Sequence, residues 1–127
     1  MMHVTDEQFE GLVEQAVAAI PARFANHLEN VAFLVAPEPT PEQLEAGGAW
    51  HGDEGETLLG LYEGIPLPER DGGYNMVLPD TITVFKRPHE LTARDLAELR
   101  DEVHQTVWHE VAHYFGLDHG QIGALER

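Results

Sequence analysis

The stretch TARDLAELRDEVHQTVWHEVAHYFGLDH, residues 92–119, decides how this chain is read. From Thr92 to Phe115 it contains neither proline nor glycine. It therefore predicts a helix of about six turns, opening at Thr92 with Asp95 as its capping partner. Gly116 stops it. Within the helix, His109 and His113 stand four residues apart, so their imidazoles project from one face, one turn above the other. That spacing lets both ring nitrogens reach a single zinc ion at about 2.0–2.1 Å. Glu110 lies roughly 100° round the helix from His109. It borders the ion without binding it, where a carboxylate can hold a water molecule as a general base. A left-handed turn at Gly116, which glycine adopts with little strain, would carry His119 back toward the ion. The three ligands His109, His113 and His119 leave one position open for water, which is the arrangement of a catalytic zinc rather than a structural one.

The other predicted elements are shorter. Thr5 and Gln8 form a capping-box signature, and Phe9, Leu12, Val13, Ala16, Val17 and Ile20 recur at helical spacing up to Pro21. A shorter helical stretch carries Phe24 and Leu28. Val31 to Ala36 reads as a buried strand, and Thr57 to Tyr62 and Thr81 to Phe85 as two more. The segment PEPTPEQLEAGGAWHGDEGE between the first two strands is rich in Pro, Gly and Glu and reads as a long loop with one helical turn. The fold class expected is α+β: a small twisted sheet packed against an N-terminal helix and a long C-terminal helix. Without repeats, low-complexity tracts or a linker, residues 1–127 read as a single domain.

Composition narrows the function. Twenty-three acidic residues against seven basic ones give a formal charge of −16, a surface that repels phosphate backbones, so no nucleic-acid partner is expected. The same field would favour cationic substrates or partners, although the acidity reads first as a means of staying soluble. No apolar run approaches a membrane span, and the N-terminus lacks the pattern of a secretory signal. The chain has no cysteine, so a thiolate zinc site is excluded and a reducing, cytoplasmic setting is expected. Among the other histidines, His104 lies about 180° round the helix from His113 and reads as a surface or packed residue. His3, His27, His51 and His89 have no ligand spacing and read as surface residues. Val107, Trp108, Val111 and Phe115 read as core, while Tyr74 and Tyr114 could donate to an oxyanion.

The string HExxHxxGxxH, filled by His109, Glu110, His113, Gly116 and His119, resembles the signature of the metzincin metallopeptidases. The short length, the acidity and the position of the motif resemble more closely the small bacterial zincin-like metallopeptidases. In that group a segment like LLGLYEGIPLPER (58–70), a strand like TITVFKR and a final helix follow in this order. The resemblance implies a minimal zincin-like fold, with the active-site helix under a small mixed sheet. It also implies Zn2+ as cofactor and hydrolysis of a peptide or protein substrate, with Glu110 as general base. In that group an acidic residue often stands near the third-ligand position, which makes Asp118 an alternative to His119. Metzincins carry a methionine turn well after the third histidine. Here eight residues follow His119 and the methionines are Met1, Met2 and Met76, so a protein partner completing the cleft is one expectation. An extended substrate is expected along an edge strand, with Thr81 to Phe85 the candidate. Two alternatives stand beside the peptidase. One is a non-catalytic zinc-binding interaction module. The other is a zinc-dependent endoribonuclease of the rRNA-maturation type, which Glu110 and the acidity disfavour.

Overall fold

The computed structural model describes residues 2–51, 58–65 and 79–117, without the side chains of 48–51. The first helix, α1 (Asp6–Ala18), opens as its sequence predicts. The Thr5 hydroxyl accepts from the Gln8 amide at 3.1 Å, and the Gln8 side chain accepts from the Thr5 amide at 2.8 Å. Its apolar stripe of Phe9, Leu12, Val13 and Ala16 is buried. One short turn, α2 (Ala22–Ala25), leads to β1 (Val31–Ala36). Asn30 enters that strand with φ of 54°, a left-handed conformation that asparagine tolerates.

The stretch expected as a loop instead contains α3 (Pro41–His51). Its start is a second capping box. The Gln43 amide donates to the Thr40 hydroxyl, and the Thr40 amide to the Gln43 side chain. Pro41 occupies the first helical position, where its missing N–H costs nothing. Next come β2 (Gly60–Glu63) and β3 (Asp80–Phe85). The helix expected to open at Thr92 opens at Leu96 instead, after a separate short helix that was not expected. Thr92 ends α4 (Lys86–Thr92), Ala93 is extended, and Asp95 is itself the cap of α5 (Leu96–Tyr114), its carboxylate accepting from the Glu98 amide at 2.8 Å.

The sheet order is β1-β3-β2, with β1 parallel and β2 antiparallel to β3. The expected α+β class and mixed sheet are therefore present. Two strand readings change. β3 runs through the middle, which removes Thr81 to Phe85 as an edge that could receive a substrate. β1 is not a buried strand but an edge whose six residues are all at least partly exposed. One face of the sheet, through Tyr62, Ile82 and Val84, packs on the stripes of α1 and of α5, where Leu99, Val103, Val107 and Val111 are buried. This packing fixes α5 beneath β2, the geometry on which the site depends. No helix among the described residues is long and apolar enough to cross a membrane.

Candidate metal centre

The last two turns of α5 carry the candidate ligands. One donor atom from each of His109, Glu110 and His113 lies within 4.8 Å of the others, and the two imidazole centroids are 4.9 Å apart. His113 and Glu110 are buried, at 6% and 2% exposure, and His109 is partly exposed, although its Nε2, like that of His113, is shielded from solvent. Donors on one tetrahedral zinc sit about 3.4 Å apart at ordinary zinc–nitrogen distances. The observed spacing therefore needs only small side-chain rotations to close on an ion. The two imidazoles form a nitrogen donor pair suited to zinc, and the Glu110 carboxylate stands beside them, where a base that is not a ligand belongs.

Glu110 is held from across the sheet. The Tyr62 amide of β2 donates to Glu110 Oε1 at 2.9 Å. Such an approach requires β2 to lie close on α5, and Gly60 allows it. A Cβ added there would sit 2.5 Å from Thr106 Cγ2 and 3.2 Å from the Thr83 carbonyl oxygen. Burial pushes the Glu110 carboxyl up to about 8, with the Tyr62 hydrogen bond pulling the other way. A dication bound a few ångströms away would favour the ionised form.

Beyond the helix, Gly116 adopts φ of 76°, as the reading of the motif requires. Its amide donates to the His113 carbonyl at 2.9 Å, and the Leu117 amide to the Ala112 carbonyl at 3.0 Å. This pair of bonds is the Schellman closure of a helix end, and it turns the chain. Asp118 and His119, the two candidates for third ligand, lie outside the described residues, as does Tyr74. Tyr114 is fully buried, and its hydroxyl accepts from the Glu29 amide at 3.0 Å, so it braces the core.

His89 is not a surface residue. It is fully buried on α4, because its ring bridges the end of β3 to α5. Nδ1 donates to the Phe85 carbonyl at 2.7 Å and Nε2 accepts from the Thr106 hydroxyl at 2.9 Å, which fixes the tautomer. His104 is partly buried and lines a cavity of about 360 Å³ with Phe24 and Trp108, on a different side of α5 from the ligand pair. The sequence reading missed Tyr62, Gly60 and Thr106. A signal existed for one of them, since a glycine inside a strand pattern marks close backbone approach.

A family model described as zincin-like metallopeptidase matches residues 28–127. Among solved structures, a conserved hypothetical protein from Thermo thermophilus is similar, with a TM-score of 0.57 and 26% identity over 88% of this chain and 94% of that one. A search of curated proteins finds no match.

Proposed function

The chain belongs to the zincin-like metallopeptidase family, and from that premise we propose that it is a zinc-dependent peptidase. In this reading His109, His113 and His119 hold the ion, with Asp118 the alternative third ligand, and Glu110 is the general base. The observation that supports it most is the placement of His109, Glu110 and His113 within 4.8 Å of one another, with the carboxylate oriented by a main-chain donor 48 residues away. Zinc in such a site acidifies a coordinated water and polarises a carbonyl group.

The chain's own residues do the rest. Glu110 accepts the proton of the attacking water and returns it to the leaving amine. The Tyr62 amide keeps the carboxylate in one rotamer through both transfers. With β3 central, the peptide in this reading lies extended along β2, the edge beside Glu110. A formal charge of −16 suits a cationic peptide and repels nucleic acid. The cysteine-free composition suits a cytoplasmic setting.

The test combines metal analysis with turnover of a peptide library, for wild type, His113→Ala and Glu110→Gln. About one zinc per chain is expected in wild type, lost in His113→Ala and kept in Glu110→Gln. Turnover should fall at least about a hundredfold in Glu110→Gln. A metal-free wild type whose thermal stability ignores added zinc would overturn the metal centre. Full zinc with unchanged turnover in Glu110→Gln would overturn the role of the base. Full zinc without any hydrolysis would make the protein an interaction module.

A further inference from the structure

Independent of the metal centre, β1 forms the edge of the sheet opposite β2. Among the described residues no strand pairs with the outer side of β1. In a parallel pair, residues alternate between turning both backbone groups toward the neighbour and turning both away. The Asp80 amide donates to the Asn30 carbonyl at 3.0 Å, which sets the phase. Ala32, Leu34 and Ala36 therefore face β3, while Val31, Phe33 and Val35 turn their N–H and C=O groups outward.

Proteins protect such edges with charged residues, prolines, bulges or a covering element. The strand reads VAFLVA, with no charge or proline, and its register with β3 runs unbroken from Val31 to Ala36. Side-chain cover is also incomplete. On the sheet face away from α5, Thr83 of β3 is 4% exposed, whereas Leu34, its register partner on β1, is 47% exposed. The layer over that face stops one strand short.

Charge selects the occupant. Glu29 and Glu38 bracket the strand and both are exposed. A second copy paired antiparallel in full register would set Glu29 of one chain against Glu38 of the other at both ends, a repulsive arrangement. A segment with basic residues at its ends would meet attraction at both. We propose that the outer edge of β1 binds an extended segment of a partner protein, apolar in its middle and basic at its ends, as an added strand.

The experiment follows amide hydrogen exchange of the whole chain with two synthetic peptides. Both carry the same alternating valine and threonine core, one flanked by lysines and the other by glutamates. The lysine-flanked peptide should slow exchange at Val31, Phe33 and Val35, and should bind about tenfold more tightly than the other at low salt. A charge-swapped variant, Glu29→Lys with Glu38→Lys, should reverse the preference, and both positions are exposed enough for the fold to tolerate it. Unchanged exchange with either peptide would overturn the proposal, and equal affinity for both would remove its charge basis. Protection that instead rises with protein concentration, together with a doubled mass in sedimentation, would assign the edge to a second copy and overturn the proposed partner.

Discussion

The imidazole of His89 has one proton on Nδ1, given to the Phe85 carbonyl, and a lone pair on Nε2, given to the Thr106 hydroxyl. Burial lowers its pKa, and the hydrogen bond to Phe85 only partly opposes that. In the unfolded chain the same ring titrates near 6.5. Below that pH the unfolded state takes up a proton that the native state refuses. The stability due to the neutral ring is therefore complete above about pH 6.5 and declines as pH falls toward the lowered native value. Wild type should be more stable than His89→Gln in urea denaturation at pH 7.5. The gap should shrink by at most about 1.4 kcal/mol per pH unit below 6.5. A gap constant between pH 7.5 and 5 would show that the ring binds its proton equally well in the folded and unfolded chain, which would overturn its burial as a neutral group. This residue was not legible in the sequence. Its neighbours Phe85 and Thr106 are identified only once β3, α4 and α5 meet. The pair His109 and His113 was legible, because four residues on one helix fix relative position without any tertiary information.

At the scale of elements, the contact between β2 and α5 carries the site, and Gly60 is its tightest point. Gly60→Ala would press a methyl group onto Thr106 Cγ2, and β2 would have to lift from the helix. The expected cost is about 1–3 kcal/mol of stability, with loss of the Tyr62 hydrogen bond to Glu110. Thermal unfolding of Gly60→Ala and of Gly60→Ala with Thr106→Ser checks this, since the serine removes the clashing methyl and should restore most of the loss. Equal stability of the two variants would show that the obstruction lies at the Thr83 carbonyl instead. Elements with local signals were read correctly, as with the Thr5 and Gln8 box of α1. The equivalent box of Thr40 and Gln43 went unread because Pro, Gly and Glu dominate its surroundings. The helix expected to open at Thr92 opens at Leu96, because Thr92 closes the separate helix α4 and the extended Ala93 and Asp95 part the two without a proline or glycine to signal the break. Strand order depends on long-range pairing, so neither the central place of β3 nor the exposed edge of β1 could be seen in advance.

For the molecule as a whole, 23 acidic residues against seven basic ones repel one another in the compact state. Few ion pairs are present to offset this among the described residues, Lys86 with Asp6 and Arg94 with Glu98 being two. Raising sodium chloride from about 10 mM to about 300 mM shortens the screening length from roughly 30 Å to under 10 Å, so the melting temperature should rise. A melting temperature that is flat or falls over this range would mean that the carboxylates are already far enough apart. The two sheet partners β1 and β3 bear on the order of assembly. They pair in parallel across the whole span from Ala36 to Asp80, and the entropy of closing so long a loop must be met before any ladder bond forms. Helix α5 needs no such closure, because its hydrogen bonds and its cap at Asp95 are local. During folding, the helix carrying His109 and His113 can therefore form before the sheet does. The Tyr62 amide reaches Glu110 only when β2 docks, so the carboxylate is the last of the three side chains to be set.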